Sequence, residues 1–94
     1  MHHRFIISID EDPNLLYISE TTLDESFKAS YHSHPNLEIL LIAEGEGKLV
    51  TTNRNIDMKK GDVLIINSNS KHCEVSKSGC TFYAIGINKL EAFL

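Results

Sequence analysis

Three histidines and one glutamate hold most of the chemistry this chain's residue types allow: His32, His34, Glu38 and His72. Neutral imidazole nitrogens plus one harder carboxylate oxygen form a ligand set that a borderline divalent ion accepts. His32 and His34 are two positions apart, so on a strand both rings point to one side of the sheet, and Glu38 has the same parity. The same four side chains could equally make a small polar pocket that holds a hydroxylated ligand without a metal. Glu38 lies between apolar Leu37 and Ile39, where a carboxylate is costly to bury unless it is partnered. A metal ion or a protonated imidazole would supply that partner.

The elements that must position these groups read as strands. Most apolar runs are short, β-branched and bounded by turn residues. Residues 5–7 form a first strand, closed by an acidic, proline-containing turn at 10–14. Residues 15–18 form a second, and 26–31 a third that leads into His32. Pro35 and Asn36 make a turn. The most continuous apolar run, 37–43, reads as a strand buried on both sides. Residues 44–47 read as a turn with two glycines free to adopt positive φ. Residues 48–51 and 56–58 flank a hairpin loop at 52–55. A turn at 60–62, a strand at 63–66, a polar loop at 67–70, and strands at 72–75 and 81–87 follow. Residues 88–94 read as the start of a short helix, with Asn88 as N-cap and Glu91 at N3 of a capping box. Closely spaced strands with Gly and Asn turns indicate an all-β sandwich or barrel.

The bulk properties narrow the function. Ninety-four residues make one small domain, which buries roughly 60–65 % of the surface its unfolded chain exposes. There is no tryptophan, so Val, Ile and Leu must fill most of the core. A net charge of −4 and no basic cluster beyond Lys59-Lys60 argue against direct nucleic-acid contact by this chain. Cys73 and Cys80 lie seven apart, which makes neither a C-x-x-C zinc nor a redox motif, and both read as buried core thiols. The start of the chain does not read as a secretory signal, and no stretch approaches the ~18 apolar residues of a membrane helix. The expectation is a cytoplasmic protein with reduced thiols and no membrane partner. His2 and His3 are set aside as ligands. Tyr17, Tyr31 and Tyr83 could contribute pocket hydroxyls, but parity alone does not place them.

Two segments together resemble the cupin superfamily, small β-barrels of jelly-roll type. The first reads His32-Ser-His34-Pro-Asn-Leu-Glu38 and runs on to Gly45; the second opens at Gly61-Asp62 and closes at His72. The resemblance implies one cupin domain over 1–94, with motifs at about 32–45 and 61–72. Three positions depart from the pattern: Ser26 stands where the first motif usually opens with glycine, and Asn67 and Asn69 replace the proline and glycine of the second. Asn69 can still take the left-handed conformation a glycine would supply. Within the superfamily, the wording from 26 to 94 is similar to the N-terminal effector-binding domain of AraC-type transcription regulators. Such domains pass a ligand signal to a C-terminal helix-turn-helix region, and no such region reads within these 94 residues.

The resemblance implies a sensor without catalysis of its own. Its ligand would be a small polar metabolite such as a sugar, anchored by His32, His34, Glu38 and His72, and it would work as a homodimer. The alternative is a stand-alone metallocupin enzyme of dioxygenase, isomerase or decarboxylase type. In that case His32, His34, Glu38 and His72 would hold Fe, Mn, Ni, Zn or Cu. A third reading is a purely structural dimerisation module, which would bind neither metal nor effector.

Overall fold

The computed structural model describes residues 6–8, 14–24, 30–88 and 91–93. Every regular element among them is a strand: β1 (Ile6–Ser8), β2 (Asn14–Leu23), β3 (Leu37–Thr51), β4 (Asn55–Lys59), β5 (Val63–Ile66), β6 (His72–Val75), β7 (Cys80–Asn88) and β8 (Glu91–Phe93). All pairings are antiparallel, in agreement with the all-β expectation. None of these residues forms a helix long and apolar enough to cross a membrane.

The 15-residue β3 organises the fold. Its first half pairs β7 on one edge and β5 on the other, since Glu38 lies opposite both Gly86 and Ile66. Its second half pairs β4 and β6 in the same way, since Leu49 lies opposite both Ile56 and Glu74. β2 extends the first sheet by pairing β7. One strand therefore belongs to two sheets and must bend between them. The bend is a β-bulge between Ile42 and Glu44, followed by Gly45 at φ 75°. A bulge inserts one residue and so reverses which parity faces inward. The alternating positions Glu38, Leu40 and Ile42 are buried before it, as is Leu37 at the strand's start, and Leu49 is buried after it. Both halves thus line one interior.

That interior is aliphatic, as the lack of tryptophan requires. Leu23, Leu40, Ile42, Leu49, Met58, Ile66, Cys80, Phe82 and Ala84 form one buried cluster, with Tyr17, Ile56 and Leu64 packed against it. Cys73 and Cys80 are both free and buried. Burial pushes both thiols up from the usual cysteine range, and the carboxylate of Glu74 adds to this at Cys73.

Four expectations need correction. The helix start expected at 88–94 is not found among the described residues: Asn88 ends β7 opposite Asn14, and Glu91–Phe93 pair β1. A seven-residue segment gains little from isolated helix formation, whereas pairing with β1 gives Glu91–Phe93 ladder hydrogen bonds along one edge. Residues 44–47 are not a turn but the continuation of β3, because the bulge bends the strand without ending it. The run at 37–43 is not buried on both faces throughout, since Leu41 is 41 % exposed. His34 does not lie on a strand: His32 makes an isolated bridge, and 33–36 are irregular, with the bend at Pro35-Asn36 that the proline implied. The strand expected at 26–31 falls largely outside the described residues, and Ser30 and Tyr31 have no strand pairing. Ser26, the turn at 10–13, and His2 and His3 also lie outside them. The hairpin at 52–55 and the strands at 63–66 and 72–75 form as expected, and Asn69 takes φ 63°.

Candidate functional site

His32 and His72 are brought side by side by reciprocal backbone hydrogen bonds, His32 N to His72 O at 2.9 Å and His72 N to His32 O at 3.0 Å. The Asn69 N–H donates to His34 O at 2.7 Å, so the turn that Asn69 closes also holds the His34 segment. Glu38 follows the Pro35-Asn36 bend at the start of β3. Separate elements therefore bring the four expected side chains together. Ring centroids lie 4.4 Å apart for His32 and His72, and 5.1 Å apart for His34 and His72. His72 is wholly buried, while the His32 side chain is 46 % exposed at the mouth.

Each ring is oriented by the same local device. His32 Nδ1 contacts Ser30 O at 3.1 Å, His34 Nδ1 contacts Asn36 O at 2.9 Å, and His72 Nδ1 contacts Ser70 O at 2.7 Å. A carbonyl oxygen only accepts, so each Nδ1 carries the proton and donates. In the neutral ring this leaves a lone pair on Nε2, and the three Nε2 atoms converge. Those of His34 and His72 are buried and make no hydrogen bond among the described residues.

Carboxylates face these nitrogens. Glu38 Oε2 lies 3.4 Å from His34 Nε2. Glu74 contributes Oε1 at 3.5 Å from His72 Nε2 and Oε2 at 3.8 Å from His32 Nε2. Both glutamates are buried, and no lysine or arginine among the described residues pairs with either. Glu74 was missed in the sequence, although its signal was present. Two positions beyond His72 on a strand, it shares that histidine's face.

Asn36 was also missed as part of the site, and Tyr17, one of the three tyrosines offered as pocket hydroxyls, is placed in it by the fold. Tyr17, Gly86 and Glu38 lie in one row across β2, β7 and β3. The Tyr17 hydroxyl donates to Glu38 Oε2 and accepts from Asn36 Nδ2 at 3.0 Å. The ring crosses over Gly86, where an added Cβ would lie 2.2 Å from it. Burial first, and then the bond to Glu38, push the tyrosine's pKa above its usual range. Tyr31 and Tyr83 are not part of this cluster: Tyr31 is 55 % exposed, and Tyr83 points to the outer face.

The donor set fits a divalent transition metal. Two donors about 2.1 Å from one ion lie roughly 3.0 Å apart at a right angle and about 4.2 Å apart when opposite. The three nitrogen–oxygen separations fall inside that span. His32, His34, His72 and Glu38 could hold such an ion. When bound, it would act as a Lewis acid toward an oxygen ligand. A separate open cleft of about 730 Å³ between Lys48, Asp57, Met58 and Ser76 includes none of these groups.

The family model that matches this chain is described as an AraC-like ligand binding domain and covers residues 12–93. Comparison with curated protein sequences gives no match. Similar solved structures include cupins. A cupin superfamily protein from Desulfitobacterium hafniense aligns with a TM-score of 0.71 at 17 % identity, over 92 % of this chain and 79 % of that one. A cupin protein from Bacteroides fragilis gives 0.67 at 27 %, over 74 % and 63 %. A predicted oxalate decarboxylase from Thermotoga maritima gives 0.69 at 23 %, over 78 % and 66 %.

Proposed function

The chain belongs to the family of AraC-like ligand-binding domains, and from that premise we propose that it is the effector-sensing part of a transcription regulator. The observation that carries this reading is the convergence of three oriented imidazoles, with Glu38 beside His34, in a domain whose core is apolar. Small-molecule sites have that character, with a few fixed polar groups above apolar walls. His32, His34, Glu38 and His72 are the ligand anchors, with Tyr17 and Asn36 holding Glu38 in place. The ligand is a small polar molecule, and the site is cytoplasmic. Occupancy would act on the rest of the regulator through strands that contact the site. β2 is the most direct of these, since Tyr17 lies on it.

The reading includes a homodimer. Ile18, Ile85, Ile39 and Ile65 form one apolar row across the outer face of the first sheet, and Tyr83, Leu41 and Val63 form a second beside it. Val63 is 58 % exposed. An apolar face spanning several strands is unusual on a monomer and fits a second copy of the chain.

A stand-alone metallocupin enzyme is the second reading. It is favoured by the unpartnered Nε2 atoms of His34 and His72, which are poised as ligands.

Thermal-shift titration with a panel of aldose sugars, each with and without Zn²⁺ or Mn²⁺, tests the sensor reading. Binding to the folded state raises the melting temperature by mass action. The expected result is a saturable rise that His34→Ala and His72→Ala abolish. A rise that both variants retain removes the site assignment. Metal-dependent turnover of a substrate replaces the sensor by the enzyme.

A further inference from the structure

The two buried carboxylates make different demands. Glu38 accepts from Tyr17 and has that hydroxyl as a partner. Among the described residues Glu74 has no such donor: its two oxygens face His72 Nε2 and His32 Nε2, and both rings already donate through Nδ1 to carbonyls. In neutral rings, lone pairs on nitrogen therefore face lone pairs on oxygen. Such a contact needs a positive partner, which a shared metal ion or a proton on the ring supplies. His72 is the junction. Its Nε2 lies within 4.8 Å of ligand atoms on His32 and His34, and within the same limit of those on Glu38 and Glu74.

We propose that Glu74 is a fifth donor of this site toward a divalent first-row transition-metal ion, joining the histidine group to Glu38 through His72. The assignment rests on reading the histidine cluster as the ligand site. Three imidazole nitrogens with two oxygens suit the borderline ions of the series better than magnesium or calcium, which prefer oxygen alone. The Glu74 carboxylate also reaches His32, whose side chain is the most exposed of the three imidazoles.

The test uses the full chain purified without a tag or chelating resin, stripped with EDTA and titrated with Co²⁺ alone. Absorption reports the coordination of the ion, and chelator competition gives affinity. One Co²⁺ per chain is expected. Glu74→Gln should weaken it by at least about tenfold and change the ligand-field band. Glu74→His, which replaces oxygen by nitrogen, should keep binding but shift the band; it also carries the test if the glutamine variant fails to fold. Wild-type affinity and an unmoved band in both variants would overturn the role of Glu74. So would a wild-type chain that binds no Co²⁺. Failure of the underlying site reading looks different: Co²⁺ would bind, but His34→Ala and His72→Ala would leave it unchanged, placing the ion elsewhere on the chain.

Discussion

At the scale of single residues, the site depends on a missing side chain as much as on those present. Tyr17 reaches Glu38 only because Gly86 leaves room for its ring. Tyr17→Phe removes a donor from a buried carboxylate and should cost about 1–3 kcal/mol in a urea unfolding series. Gly86→Ala should be at least as damaging in the wild-type background, and much less so once Tyr17 has been changed to Ser, because the clash is with the ring. Equal costs in both backgrounds would show that the row does not act as a unit. Cys80 supports a prediction about pH. Its thiol is raised by burial, so the unfolded chain loses that proton first as pH rises. Stability from this group is complete below the unfolded pKa of about 8.5 and is lost as pH climbs through the higher folded value. Unfolding free energy measured between pH 7.5 and 9.5 should therefore fall less steeply in Cys80→Ala than in the wild type.

At the scale of elements, the bulge in β3 decides what the site contains. His72 and Glu74 lie opposite Thr51 and Leu49, beyond the bulge, whereas Glu38 lies before it. Without the extra residue, the two halves would present opposite faces, and β6 would turn its histidine and glutamate outward. Gly45 makes the bend possible. Its φ is 75°, and a Cβ there would lie 2.1 Å from the Gly79 carbonyl oxygen, a backbone atom with little freedom to retreat. Gly45→Ala should destabilise by more than about 2 kcal/mol, read from the denaturant midpoint. Asn69 is the milder case. Asn69→Gly should be nearly neutral at φ 63°, and Asn69→Val clearly unfavourable. Comparable melting temperatures for the two would show that the left-handed turn does not hold His34.

At the scale of the whole molecule, the two faces of the first sheet have different tasks. The inner face carries Glu38 above Leu40 and Ile42; the outer face carries the apolar rows through Ile39 and Leu41. Leu41→Lys combined with Val63→Lys should leave the fold intact, since both side chains are more than a third exposed, and should turn a dimer into a monomer in sedimentation velocity. A wild-type chain already monomeric at micromolar concentration would remove the second copy from the reading.

Several features were legible in the sequence because they rest on local periodicity. The strands at 63–66 and 72–75, the hairpin at 52–55 and the left-handed Asn69 follow from β-branched runs and turn chemistry. The grouping of His32, His34 and Glu38 was suggested by their parity, and His72 joined them through the resemblance to the second cupin motif. The continuation of β3 through Glu44–Gly47 was not, because a bulge and a turn draw on the same glycines. The C-terminal strand was hidden for a similar reason: a capping pattern is local, whereas the β1 edge that captures Glu91–Phe93 is distant in sequence. Tyr17 and Glu74 joined the site only in the tertiary structure. Their places depend on register between strands far apart in the chain, and register is set by the packing of the core.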